Sequence, residues 1–194
     1  ETAAELGLPT RMRLVSFAYA GVEPEIMGIG PVPATVKALD RAGLSIEDIG
    51  LFEINEAFAV QVLSFLDAFG IADDDPRVNQ YGGAIAVGHP LASSGVRLMT
   101  QLARQFEENP DVRFGLTTMC VGLGQGGTVI WENPHHADYE LRGEDQVSDM
   151  STETPRAERV SHAIARDVTL PGGAGTLVLV TIDNGLDHTK PTTL

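Results

Sequence analysis

The chain has 194 residues, 43% of them hydrophobic and 21% charged, with 13 basic against 27 acidic side chains and a formal net charge of −14. That length holds one domain with a real core, or one domain plus part of another, while the charge disfavours a nucleic-acid partner and obliges any phosphorylated ligand to find a local basic patch. A single cysteine excludes an internal disulfide and suits a reducing compartment, and no apolar run approaches the roughly 18–20 residues of a membrane helix.

The chain opens on Glu1-Thr-Ala-Ala-Glu5, with no initiator methionine and no signal-peptide pattern, so the natural chain is expected to begin further upstream. Arg13–Tyr19 reads as a strand. Pro33–Ala42 reads as a helix with proline in its first turn, Val36 and Leu39 on one face and Gly43 as its stop. Ser45-Ile-Glu-Asp48 has the form of a capping box. Leu51–Ile54 is a short apolar strand leading into a helix from about Ala57 to Phe69, with Phe58, Val62, Leu66 and Phe69 at helical spacing and Gly70 as terminator. Gly95–Phe106 is a further helix, with Met99, Leu102, Ala103 and Phe106 expected inward and Asn109-Pro110 ending it. Phe114–Met119 and Thr128–Trp131 read as an antiparallel strand pair joined by a Cys120–Gly127 turn. Strands alternating with helices predict a layered α/β domain over residues 1–134, and the closing strand pair makes its sheet mixed.

After Pro134 the composition changes. Over 135–154 six acids face one base, Arg142, and apolar residues are few, which reads as linker or disorder. Residues 135–170 are therefore expected to be largely irregular. A strand candidate, Leu177–Ile182, follows Pro171-Gly-Gly-Ala-Gly175 within the 135–194 tail.

Three positions carry chemistry. Asn55, in Asn55-Glu-Ala-Phe-Ala59, sits where a strand gives way to a helix; it reads either as a helix N-cap or as an amide aimed at a ligand from the sheet edge, where open α/β domains bind theirs. His89 precedes Pro90, which biases it to an extended conformation and delays the next helix to about Ser93 or Ser94. The ring then lies near a helix N-terminus, as a turn histidine or as a proton-transfer group. Cys120 follows 31 residues later in Cys120-Val-Gly-Leu-Gly-Gln-Gly-Gly127. A lone cysteine is often a small buried apolar residue, but here Gly122, Gly124, Gly126 and Gly127 are expected to let backbone amides face a developing oxyanion. The same stretch fits G-x-G-x-x-G; because strand-like Thr128–Trp131 follows instead of a helix, dinucleotide binding is rejected. His135-His136 lacks a spaced third ligand, so no metal site is expected; Asp73-Asp74-Asp75 lacks calcium-loop spacing, and Ser93-Ser94 lacks a hydrolase elbow.

In series, Gly28-Ile-Gly-Pro-Val-Pro33, Asn55-Glu-Ala-Phe-Ala59, Gly82-Gly-Ala-Ile-Ala-Val-Gly-His-Pro90 and Cys120–Gly127 resemble the C-terminal half of thiolases, from about residue 9 to Glu132. The resemblance implies a half-domain with a mixed sheet and helices on its faces, followed by an irregular acidic tail. Two such halves make a five-layered subunit in this family, and subunits form homodimers or homotetramers. It further implies acyl transfer between 3-ketoacyl-CoA and CoA in β-oxidation, with coenzyme A and acyl-CoA as substrates and no bound cofactor or metal. In that scheme His89 activates a nucleophilic cysteine, Asn55 holds a water in one oxyanion hole, Cys120 shuttles a proton, and the amide of Gly122 contributes to a second oxyanion hole. A hydratase/dehydrogenase subunit is an implied partner, and the expected compartment is cytoplasmic, with mitochondrion and peroxisome left open.

The family commonly has Gly-Ala-Ser-Gly where this chain has Ala92-Ser-Ser-Gly95, and the acyl-accepting cysteine is absent because Cys120 is the only one. The chain alone is thus expected to be inactive. The rival reading is a non-catalytic truncated fragment or a structural partner in a β-oxidation complex. Met150-Ser-Thr followed by Leu177-Val-Leu-Val-Thr-Ile-Asp-Asn-Gly185 also resembles the start of an enoyl-CoA hydratase domain of a multifunctional fatty-oxidation protein.

Overall fold

Ser16, Ala18 and Ala20 alternate inward along β1 (Arg13–Gly21), leaving Phe17 and Tyr19 outward. A 3-10 turn, Pro24–Ile29, then feeds α1 (Pro31–Ala42), β2 (Ile49–Ile54) and α2 (Ala59–Phe69). The short α3 (Ala84–Val87) and the long α4 (Ser94–Glu108) precede the hairpin of β3 (Phe114–Val121) and β4 (Gln125–Glu132). The computed structural model describes residues 5–139, 169–170 and 173–174. Its four-stranded sheet runs β1-β4-β3-β2, with β4 antiparallel to both neighbours and β2 parallel to β3. The parallel step needs a crossover, which the 59–113 segment supplies. This is the mixed α/β sheet expected from the alternation of elements.

β2 is buried on both faces. Phe52 and Ile54 join α1 and α2 in one core, with Ala38, Leu39, Phe65, Leu66, Leu116 and Ile130. Leu51 joins Leu102 and Phe106 of α4 in a second. Gly115 makes room for that helix: a Cβ there would stand 2.7 Å from Leu102 and 2.9 Å from Phe106.

Three expectations about helix faces need correction. On α1 the buried residues are Pro31, Ala34, Thr35, Ala38 and Leu39, whereas Val36 is 54% exposed. Small residues let α1 approach closely enough for Ser16 Oγ to donate to the Ala38 carbonyl (2.6 Å) and for the Thr35 and Thr128 hydroxyls to meet at 2.9 Å; position on the helix outweighs the size of Val36. Phe58 is the exposed residue before α2, whose buried residues are Gln61, Phe65 and Leu66. On α4 the buried row includes Leu98, Leu102 and Phe106, while Met99 and Ala103 line an open groove with Arg11, Met12 and Glu107.

The predicted capping box forms at Ser45 and Asp48, and Gly43 and Gly70 end their helices in the left-handed conformation. At the opposite end of the sheet from the β3–β4 turn, Glu132 is 1% exposed and is held by Arg113 Nε (2.9 Å) and Arg13 Nε (2.7 Å). Asn133 beside it donates to the carbonyls of Phe106, Asn109 and Val112, satisfying the end of α4.

The chain divides into two units, Glu1–Leu141 and Arg142–Leu194. In the second, β5 (Thr169–Leu170) and β6 (Gly173–Ala174) pair antiparallel. Thr169–Leu170 lies within the stretch expected to be irregular, and the strand candidate Leu177–Ile182 lies outside the described residues. No described helix is long and apolar enough to cross a membrane.

Candidate active site

Because β2 and β3 are parallel, their C-terminal ends share one sheet edge. The ladder continues one residue past β2, where Asn55 N donates to the Thr118 carbonyl (2.9 Å). Asn55 is fully buried, and its side chain does not cap α2, which starts only at Ala59. The N-cap reading therefore falls. Its Nδ2 lies 3.4 Å from His89 Nε2, and its Oδ1 has no hydrogen-bond partner.

His89 reaches this edge from the other side of the chain. Gly88, at φ 96°, turns the backbone out of α3, and Pro90 delays α4 until Ser94, as the sequence predicts. His89 Nδ1 lies 2.5 Å from Ser94 Oγ at the start of α4. The tautomer that suits both contacts carries its proton on Nδ1, donated to Ser94, and presents the Nε2 lone pair beside the Asn55 amide.

Cys120 is not in the turn. It is the half-buried penultimate residue of β3 and pairs with Gly126 on β4. The turn itself is Gly122–Gly124, with Leu123 and Gly124 at positive φ. Thr118 bonds Thr128 on the α1 side of the sheet, while the Met119 sulfur lies 3.7 Å from where a Cβ on Gly95 of α4 would stand. Strand alternation therefore gives Cys120 the Thr118 side, whereas Asn55 and His89 approach from the α4 side. Among the described residues no hydrogen bond joins Cys120 to either, whereas Asn55 and His89 stand within hydrogen-bond reach of each other.

The four-glycine oxyanion cradle is corrected as well. A Cβ on Gly126 would lie 2.0 Å from the Gly30 backbone, one on Gly124 would lie 2.3 Å from the Val22 carbonyl oxygen, and one on Gly127 would strike the Tyr19 ring. These three are glycine because β4 packs against β1 and the 22–31 segment. Only Gly122 faces open space.

Sequence reading missed several groups behind the edge. Ser94, which lacks a hydrolase elbow, anchors His89 instead. Glu53, two residues before Asn55, is fully buried and accepts from Gln105 Nε2 (2.7 Å), while its Oε2 has no partner. Burial raises its carboxyl from 4.5 to about 7, against the opposing pull of the Gln105 hydrogen bond and the Arg97 charge. Arg97 Nε and Nη2 are also buried without partners. A glutamate inside the apolar run Ile49-Gly-Leu-Phe-Glu-Ile54 was the available signal.

Residues 8–133 match the thiolase C-terminal domain family. The chain is 58% identical over 131 residues to a 3-ketoacyl-CoA thiolase of Photobacterium profundum, covering 67% of this chain and 34% of that protein. It is 55% identical over 131 residues to one of Pectobacterium carotovorum, with the same coverage. It is 53% identical over 135 residues to one of Aliivibrio fischeri, covering 69% of this chain and 35% of that protein. The chain thus spans about a third of the length of these relatives.

Proposed function

Because the chain belongs to the thiolase family as its C-terminal domain, we propose that residues 1–134 form the proton-handling part of an acyl-CoA C-acyltransferase active site. The carrying observation is the His89–Asn55 contact at the shared edge, with the far ring nitrogen held by Ser94. The substrates are a 3-ketoacyl-CoA and coenzyme A, with no metal or bound cofactor.

In this reading a cysteine outside these residues gives its proton to His89 Nε2, and its sulfur attacks the 3-keto carbon. The bond between the α-carbon and the keto carbon breaks, leaving the acyl group on that sulfur, and the α-carbon takes its proton from the Cys120 thiol. The incoming CoA thiol gives its proton to the Cys120 thiolate, its sulfur attacks the acyl carbon to form the new thioester, and the released cysteine sulfur takes its proton back from His89 Nε2. The unpartnered Oδ1 of Asn55 suits an ordered water in one oxyanion hole, and Gly122 N–H suits the second. In this reading Cys120 exchanges its proton with the substrate and with the CoA thiol, not with His89.

The chain by itself carries one cysteine, so the double displacement needs sulfur from elsewhere. This supports the second reading: alone, it is an inactive portion or a structural partner. Exposed Phe17, Tyr19, Phe58 and Leu63 support packing against further protein, as in a homodimer or homotetramer, or against a hydratase/dehydrogenase subunit. The free cysteine supports a cytoplasmic setting.

The test replaces the matching segment of the Photobacterium profundum relative with residues 8–133. The folded chimera should cleave acetoacetyl-CoA with CoA, and Cys120→Ser should remove turnover while sparing substrate binding. A folded but inactive chimera overturns the catalytic reading, and turnover by the 194-residue chain alone overturns the assignment of its missing nucleophile.

A further inference from the structure

We propose that Glu56 is a positioning residue that fixes His89 against Asn55 without touching substrate. This deepens the reading of the same site and rests on it only for the activity arm of the test.

Both carboxylate oxygens of Glu56 are used. Oε1 accepts from Asn79 Nδ2 (2.8 Å), and Oε2 accepts from the backbone N–H of Ile85 (2.9 Å). Both donors lie on the 79–89 segment, which ends in His89, whereas Glu56 itself follows Asn55. One carboxylate therefore joins the chain carrying the amide to the chain carrying the imidazole. Asn79 is already sewn to β2: its N–H donates to the Phe52 carbonyl (2.8 Å), its Oδ1 accepts from Ile54 N (2.8 Å), and its Nδ2 donates to the Ile54 carbonyl (3.0 Å). Its φ of 46° lets the chain turn back along the strand.

Gly83 supplies an independent sign that the carboxylate belongs here. A Cβ at Gly83 would stand 1.9 Å from Glu56 Cδ and 2.1 Å from Oε1, so Glu56 occupies the space a side chain would take. Ile85 is the second residue of α3, and Gly88 ends that helix immediately before His89. Glu56 thus holds one end of a four-residue arm, and Ser94 holds the ring at the other.

The chemistry requires a carboxylate. Glutamine has one acceptor and one donor, so Glu56→Gln sets an N–H against Asn79 Nδ2 or against Ile85 N–H. Reversing the polarity with Glu56→Gln/Asn79→Asp restores the pairing at position 56, because the glutamine amide then donates to aspartate while its carbonyl accepts from Ile85, but the aspartate can no longer donate to the Ile54 carbonyl, so the rescue is partial.

The first measurement follows imidazole nitrogen resonances of the 194-residue chain, with His89 identified by their loss in His89→Gln. The unsubstituted chain should show His89 predominantly as the Nδ1–H tautomer. Glu56→Gln should shift it to a mixture of tautomers, and the double variant should restore it in part. If Glu56→Gln does not fold, Gly83→Ala, which evicts the same carboxylate, takes its place and should show the same mixture. The second measurement uses the chimera: Glu56→Gln should lower kcat about 10–100-fold, the scale of a misplaced catalytic group, with KM for CoA unchanged and partial recovery in the double variant. A folded Glu56→Gln or Gly83→Ala chain with unaltered His89 resonances overturns the proposal. Altered resonances alongside an inactive chimera uphold the positioning role and sink the thiolase reading instead.

Discussion

The two ends of the sheet treat buried polar groups in opposite ways. Where β3 begins, Glu132 is shared by two guanidinium groups, and Asn133 spends its amide on three carbonyls. Toward the end of β2, Glu53 has a single hydrogen bond, Asn55 leaves Oδ1 unpartnered, and Arg97 leaves two nitrogens unpartnered. The first end is a closed account of donors and acceptors; the second is incomplete by the measure that most buried polar groups are paired. Pairing at one end stabilises the fold, and open valences at the other leave room for chemistry.

The largest expected effect separates these roles directly. In the chimera, His89→Ala should lower kcat/KM by about 10²–10⁴, the range of general acid–base groups, while changing stability by less than about 1 kcal/mol. Steady-state kinetics beside urea unfolding would show it, and a large stability loss with an intact rate would exchange the roles of the two ends.

Glu132→Ala is the counterpart at the closed end. It leaves Arg13 and Arg113, 30% and 37% exposed, without the buried carboxylate they share, a loss of about 1–3 kcal/mol. The midpoint of urea unfolding should fall accordingly, and a midpoint close to that of the unsubstituted chain would show that the pairing contributes little.

Glu53→Gln should work the other way, with a pH signature. The carboxyl sits near 7 when folded against an ordinary 4.5, chiefly because it is buried. Between those values the folded chain holds a proton that the unfolded chain has released, so stability falls as pH rises through the window. The glutamine variant should match the unsubstituted chain below pH 4.5 and exceed it by up to about 3 kcal/mol above pH 7. Thermal unfolding across this range decides it; parallel pH profiles for the two chains would mean that Glu53 is paired in solution.

The smallest effect tests the corrected face of α1. Val36→Ser should alter stability by no more than about 0.5 kcal/mol, because the side chain is exposed and the two residues have similar helix propensity. A loss of 1 kcal/mol or more on chemical unfolding would return Val36 to the core.

Local signals in the sequence were enough for the four strands of the main sheet and the three longer helices, the glycine stops at Gly43 and Gly70, the capping box at Ser45 and the start of α4 after Pro90, because each depends on backbone preferences within a few residues, whereas the short α3 and the 3-10 turn at Pro24–Ile29 carried no such signal. The motif series was likewise enough for the family. Which faces pack was not local. Val36 lost its expected place to Ala34 and Ala38 because the approach of α1 to β1 and β4 favours small side chains over large ones. The glycines after Cys120 looked like one cradle, but Gly126 answers to Gly30, 96 residues away in the chain. Only the tertiary structure could place Cys120 in a strand, join Glu56 to Asn79 and Ile85, and leave Glu53 short of partners, because hydrogen bonding and desolvation depend on what other segments bring to the same point in space.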